Sequence, residues 1–188
     1  NKNATMQKPM TLSEHQASRM IVEPLHLFDC SLESDGGAAL LVTSMERALD
    51  LPKKPVTVLG MGQHHPHSSV MDAPTLTTLG SRKSSEAAYR MAGLGPKDMA
   101  FAQIYDCFTI TTMITIEDYG FCGKGEGKDF VKNGRIEVGG EIPVNTHGGL
   151  LSQAHLEGIM HVTEGVKQLR GNEVEPERQV QGAQAGII

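Results

Sequence analysis

At 188 residues the chain is long enough for one ordinary domain, or one domain plus a piece of another. With 39% hydrophobic and 21% charged residues the composition is that of a globular protein, and a net charge of −5 leaves no basic footprint for nucleic acid or an anionic membrane. No apolar run approaches the roughly 20 residues that span a bilayer, and Asn1–Thr5 carries neither the apolar core nor the cleavage pattern of a secretory leader.

Cys30, Cys107 and Cys122 form no CxxC and cannot complete a disulfide framework, which points to a reducing, cytoplasmic compartment. The chain begins without Met and stops at Gly186-Ile187-Ile188, inside what reads as a buried strand; this is the pattern expected of a fragment.

In chain order, Thr11-Leu12-Ser13-Glu14 fits a capping box that opens a short helix ending by Pro24. Asp35-Gly36-Gly37 is a turn feeding the apolar run Ala38–Val42, which predicts a strand covered on both faces. Ser44 to Leu51 reads as one or two helical turns, and Pro55–Gly60 as a second strand. A polar loop with His64, His65 and His67 follows. Helical spacing then runs from Ser84 to Ala92, stopped by Gly93-Leu94-Gly95-Pro96. Ala100–Tyr105 predicts a strand and Phe108–Tyr119 a buried helix. Beyond the Gly-rich stretch 123–127 come a small helix, a turn at Asn133-Gly134, a helix over about Ala154–Leu169, and a last strand near Ala183–Ile188. Strands alternating with helices indicate an α/β fold.

Two segments carry candidate chemistry. In Asn145-Thr146-His147-Gly148-Gly149-Leu150-Leu151-Ser152-Gln153-Ala154-His155, the Gly-Gly pair permits a sharp turn and close backbone approach to a substrate. His155 is expected at the start of the next helix, where the dipole disfavours the imidazolium and leaves a neutral base. A purely structural histidine at a helix start is the competing reading. Tyr105-Asp106-Cys107-Phe108 lies at the C-terminal end of a strand, where ligands gather in open α/β sheets. Tyr105 is a candidate donor to an oxyanion, against a Tyr that satisfies its hydroxyl locally. Asp106 reads as a cap for the following helix, and Cys107 as a small buried residue.

These motifs resemble the thiolase superfamily. Asn145, Gly148, Gly149 and His155 match its Asn-x-x-Gly-Gly turn and catalytic histidine. Tyr105-Asp106-Cys107-Phe108 is similar to the variant strand-end motif of the sterol-carrier and lipid-transfer branch, and Asp35-Gly36-Gly37-Ala38-Ala39 is similar to the strand closing the N-terminal domain. The resemblance implies a thiolase-like layered sandwich of which residues 1–45 end the N-terminal domain and 46–188 form the C-terminal domain. It implies His155 and Tyr105 as catalytic residues, with Asn145, Gly148 and Gly149 lining the substrate. The substrate would be a coenzyme A thioester, with no covalently bound cofactor. The activity implied first is acyl transfer that makes or cleaves a C–C bond in a 3-oxoacyl-CoA. Retro-aldol cleavage of a branched or steroid-like acyl-CoA, or a non-catalytic lipid-transfer or scaffold subunit, is the alternative. A homodimer, with an OB-fold partner of the DUF35 type, is the assembly the family implies.

The sequence departs from the family in Ala154-His155-Leu156, which replaces the usual Gly-His-Pro, and none of the three cysteines stands where a thiolase nucleophile would. His64-His65-Pro66-His67 shares no ligand spacing with a carboxylate or thiol, so no metal is expected. The stretch Gly123–Lys128 lacks the spacing of a phosphate loop, and no Gly-x-Ser-x-Gly elbow occurs.

Overall fold

Three short segments, around 142–145, 100–104 and 185–187, lie parallel and side by side in a computed structural model that describes all 188 residues. Ala102 is central, bridging Val144 on one side and Ile187 on the other. Its N–H donates to Pro143 O at 2.9 Å and its carbonyl accepts from Asn145 N at 3.0 Å; on the other edge Gln103 N donates to Ile187 O at 2.8 Å. Phe101, Ala102, Gln103 and Ile104 are all buried, so both faces of this segment are covered. That agrees with the strands expected at 100–105 and 183–188, although the bridges are isolated and do not extend into long ladders.

Helices cover this small sheet. Ser81–Ala92 (α3) ends at Gly93, whose φ of 67° lets the chain leave the helix in the left-handed region. Thr109–Asp118 (α4) turns Thr115, Ile116 and Asp118 inward while Ile110 stays exposed, so it buries one face rather than being buried throughout. Gly127–Phe130 (α5) adds Phe130 to a core of Ala102, Ile104, Ile116, Ile142 and Ile187. Ile159–Arg170 (α7) is closed by Gly171 at φ 82°. Asp118 docks α3 on α4: its carboxylate accepts from Thr78 Oγ1, Leu79 N and Ser81 Oγ and pairs with Lys124 at 2.6 Å.

The N-terminal third departs from expectation. Leu12–Ala17 (α1) forms with the capping box Thr11/Glu14 in place. It is followed by a small hairpin, Met20–Val22 (β1) with Leu25–His26 (β2), that the sequence pattern did not reveal. Met45–Leu49 (α2) is the short helix expected there. The runs 38–42 and 55–60, expected as strands, pair with no other strand. Leu41 and Val42 are 80% and 87% exposed, so the run is not covered on either face. A continuous apolar run identifies a segment that prefers burial; a strand also needs a neighbour to accept its ladder, and none lies beside these segments.

No helix of the chain is long and apolar enough to cross a membrane. The architecture is α/β, a small sheet with helices against it.

Close packing around the terminal segment rests on two glycines. A Cβ on Gly186 would stand 2.3 Å from the Phe101 ring, and one on Gly165 of α7 would stand 2.6 Å from Ile188 Cδ1. Phe101 is fully buried and cannot swing away. Gly186→Ala should therefore destabilise the protein by about 1–3 kcal/mol through overpacking, read as a lower urea midpoint with an unchanged m-value.

Candidate active site

The site forms where the central segment ends. Asn145, at φ 49°, uses its side chain as a second backbone: Oδ1 accepts from Ile104 N at 2.7 Å and Nδ2 donates to Ile104 O at 2.9 Å. This pins the 145–149 turn to the residue before Tyr105. Gly148 and Gly149 then take φ of 109° and 63° and start a one-turn helix, Gly149–Ser152 (α6). Gly149 is required twice over, by its φ and because a Cβ there would fall 1.9 Å from Asp106 Oδ2.

Asp106 does not cap α4 as expected. Its carboxylate turns inward and accepts from Leu150 N at 2.7 Å and Leu151 N at 3.3 Å, capping α6 instead. Burial pushes its pKa up, opposed by these backbone donors. The cap of α4 is left to Phe108 and Thr111.

His155 is likewise displaced from its expected place. It lies in the loop between α6 and α7, four residues before Ile159, because left-handed backbone at Glu157 (φ 53°) interrupts any helix there. The helix-dipole argument for its neutrality therefore does not apply. Its partners are side chains: Nε2 lies 2.9 Å from Tyr105 Oη, and Nδ1 lies 3.2 Å from Ser31 Oγ. The two rings meet edge to face at 5.9 Å. Tyr105 and His155, fifty residues apart in sequence, are thus brought into direct contact, with Tyr105 39% exposed and open to a substrate.

Three neighbours, Ser31, Ser34 and Glu157, were not singled out from the sequence. Ser31 reaches His155 because its N–H donates to Cys107 O at 2.9 Å, an antiparallel bridge joins Cys30 to Phe108, and Leu32 N donates to Leu150 O. Ser34 Oγ accepts from His155 N at 3.2 Å. Glu157 accepts from Tyr105 Oη at 2.9 Å. Burial first, and the Glu157 carboxylate second, push the Tyr105 phenol up to about 12, so it is a donor at neutral pH. The signal for Glu157 was its place two residues after the candidate histidine; nothing local marks Ser31, which arrives through tertiary pairing. No group of three or more His, Cys, Asp and Glu side chains is arranged to hold a metal.

The thiolase C-terminal domain-like family matches residues 62–188, well over half of the chain. The chain belongs to the thiolase superfamily. It is 45% identical over 174 residues to a 17-hydroxy-3-oxo-4-pregnene-20-carboxyl-CoA lyase of Mycobacterium tuberculosis, an alignment covering 90% of this chain and 45% of that protein. It is 42% identical to a steroid side-chain-cleaving aldolase of Thermomonospora curvata, covering 89% of this chain and 44% of the aldolase. Among solved structures it superposes on a chain of an Ltp2-ChsH2(DUF35) aldolase with a TM-score of 0.87 and 39% identity, covering 96% of this chain and 47% of that one. The chain spans about half the length of the curated relatives it matches.

Behind the Tyr105–His155 pair, this thiolase domain carries a buried polar layer. Glu164 on α7 accepts from Thr146 Oγ1 at 2.6 Å and Gln168 Nε2 at 2.9 Å and pairs with Arg178. Burial raises its pKa, but the hydrogen bonds from Thr146, Arg178 and Gln168 outweigh that and hold it below the usual carboxylate range. His147 and His161 stand perpendicular with centroids 5.0 Å apart, both almost wholly buried and with no hydrogen-bond partner on any ring nitrogen. His161 Nε2 approaches Asp106 Oδ1 at 3.5 Å, too long and poorly aligned for a hydrogen bond. Burial drives both imidazoles down, His147 to about 4 and His161 to about 3.

These depressed values have a consequence for stability. Both histidines stay neutral in the folded state and become charged in the unfolded chain below the ordinary value of 6.5. Their contribution is complete above pH 6.5 and is lost as pH falls toward 3–4, each by at most about 1.4 kcal/mol per pH unit. Asp106, raised by burial, works in the opposite sense at low pH. Comparison with His161→Phe isolates the histidine effect: urea titrations at pH 7 and 5 should show a smaller pH-dependent loss in the variant.

Proposed function

We propose that the protein containing this chain cleaves a carbon–carbon bond in a branched or steroid-like 3-hydroxyacyl-CoA by a retro-aldol reaction. The observation that carries this reading is the Tyr105 Oη to His155 Nε2 contact of 2.9 Å at an open site, an acid/base pair suited to proton transfer. The similarity to a lyase and an aldolase favours this alternative over the acyl transfer that the family resemblance implied first. The lyase's name describes a hydroxyl on C17 and a carboxyl-CoA on C20. A thioester one carbon removed from the hydroxyl-bearing carbon can accept the electrons of the breaking bond.

In this reading the substrate hydroxyl gives up its proton at Tyr105 Oη, the oxygen that His155 Nε2 holds in place. Its O–H electrons become the second bond of a ketone, and the C–C bond electrons pass to the thioester as an enolate. Return of the proton to the α carbon completes a redox-neutral cleavage into a ketone and a shorter acyl-CoA. Coenzyme A enters as part of the substrate. Gly148 and Gly149 shape the turn on which His155 is presented, and Asn145 holds that turn in register; they would line the substrate through backbone rather than side chain.

The whole protein in this proposal is a layered sandwich in which residues 1–45 complete an N-terminal domain and 46–188 form the C-terminal one. It is a homodimer working in the cytoplasm with a DUF35 OB-fold partner; the likeness to the Ltp2-ChsH2(DUF35) aldolase supports an assembly of that kind.

The test is turnover of 17-hydroxy-3-oxo-4-pregnene-20-carboxyl-CoA by the full-length protein, alone and with its DUF35 partner, followed by release of the ketone. Tyr105→Phe and His155→Ala should each lower kcat by about 10²–10⁴-fold, the double variant falling short of their product because both serve one step. Cleavage that survives both substitutions in folded protein would refute the site. Thiolysis of a 3-oxoacyl-CoA without any retro-aldol activity would restore the acyl-transfer reading.

A further inference from the structure

The hydrogen-bond chain around Tyr105 has a direction, and its direction is set at one end. A carboxylate can only accept, whereas a phenol can donate once and a neutral imidazole donates from one nitrogen and accepts at the other. Tyr105 Oη lies 2.9 Å from both Glu157 Oε2 and His155 Nε2. Its single proton goes to Glu157, so its oxygen must accept from His155, which then carries its hydrogen on Nε2. The remaining lone pair of His155 is on Nδ1 and faces Ser31 Oγ, a hydroxyl able to donate to it across 3.2 Å. Every contact is satisfied by one arrangement: Ser31 donates to His155, His155 to Tyr105, and Tyr105 to Glu157.

Resting on the retro-aldol reading of the site, we propose that Glu157 is the terminal proton acceptor of the reaction, acting through Tyr105. The substrate hydroxyl transfers its proton to Tyr105 Oη as the Tyr105 proton moves to Glu157 Oε2, and the C–C bond electrons pass to the thioester. The reverse movement returns a proton to the α carbon, so tyrosine, histidine and carboxylate end as they began. His155, holding its hydrogen on Nε2, steers the phenolic oxygen and stabilises negative charge there.

The backbone supplies a second, independent observation. Glu157 sits at φ 53°, a left-handed conformation that glycine or asparagine adopts with far less strain. Gly158 is next in the chain, so a glycine could have served the turn. What glutamate brings to this strained position is its side chain, and that side chain's hydrogen bond is to Tyr105. Strained backbone of this kind gathers at functional sites. The titratable groups facing the relay are His155 from the same loop, Asp106 and Cys107 beside Tyr105, and His161 of α7, whose ring centroid is 6.3 Å from that of Tyr105. Cys107 bonds to Thr111, Asp106 is committed to α6, and His161 meets the tyrosine ring rather than its hydroxyl. None of them competes for the phenolic proton.

Glu157→Gln keeps an oxygen that accepts from Tyr105 but cannot take a proton. In the full-length protein with 17-hydroxy-3-oxo-4-pregnene-20-carboxyl-CoA, it should lower kcat/KM by about 10²–10⁴-fold and remove the acidic limb of the kcat/KM–pH profile. Glu157→Asp should restore part of the rate and the limb. Wild-type rate and profile in folded Glu157→Gln would overturn the proposal while leaving the retro-aldol reading standing. If the wild-type protein does not cleave this substrate, the functional reading fails instead, and nitrogen-15 shifts of His155 in the same full-length protein still decide the relay. An Nε2–H tautomer that is kept in Glu157→Gln, whose amide oxygen still accepts from Tyr105, and lost in Glu157→Leu, which has no acceptor, supports it; an Nδ1–H tautomer in the wild type overturns it.

Discussion

Asp106 carries one of the few buried carboxylates in the chain, and two stretches of sequence forty residues apart depend on where it points. One of its oxygens takes the N–H of Leu150, the other that of Leu151 and lies where any side chain on Gly149 would have to be. The residue before it is Tyr105 and the helix it caps leads directly to His155. Because the carboxylate is fixed to the strand end and to the turn, the phenol and the imidazole cannot drift apart without breaking buried hydrogen bonds to a charged group, which are among the stronger ones. Asn145 repeats the linkage one residue earlier, through paired bonds to Ile104. Two polar side chains therefore define the site geometry before Tyr105 or His155 contributes anything.

A second buried system holds the other side of the same turn. Thr146, between Asn145 and His147, is shared by Gln103, Gln168 and Glu164, so the turn is tied to the sheet and to α7 at once. Glu164 is tolerable in the interior because Arg178 pairs with it and Thr146 and Gln168 donate to it. The histidine pair is different in kind. His147 and His161 fill the space behind Tyr105 as uncharged rings without partners, which is costly for polar groups and makes this layer responsive to acid while Glu164 and Arg178 hold it together.

What could be read from the sequence follows from how local each feature is. The capping box at Thr11, the stop at Gly93 and the Gly148-Gly149 turn depend on residues within a few positions of one another, and each was legible. Tyr105 and His155 were named together as catalytic residues through the family resemblance; their direct contact was not read, because nothing local states that fifty intervening residues bring the two side chains within hydrogen-bond distance. Ser31 was invisible for the same reason, delivered by a backbone pairing between Cys30 and Phe108. The misplaced cap is instructive. Asp106 precedes a helix and looks like its cap, yet a deeper helix end with unpaired N–H groups competes for the same carboxylate and wins. The runs 38–42 and 55–60 fail in the opposite direction: their apolar pattern is real, but a pattern cannot supply the strand that would sit alongside.

The division of labour between buried and exposed groups also explains why chemistry is placed on the loop between α6 and α7 rather than on a helix. A helix start at His155 would have aimed backbone N–H groups at the site and repelled positive charge by its dipole. The loop instead allows the left-handed residue at 157, which turns the chain back so that two side chains of alternate residues, His155 and Glu157, reach one oxygen of Tyr105 from different directions. On a helix, residues two apart point to different faces and would not converge. Strain of about 1–3 kcal/mol at one residue is small against the buried bonds that Asp106, Asn145 and Thr146 make on either side of it. The rigid layer beneath is what lets a strained, partly exposed loop hold a defined hydrogen-bond direction.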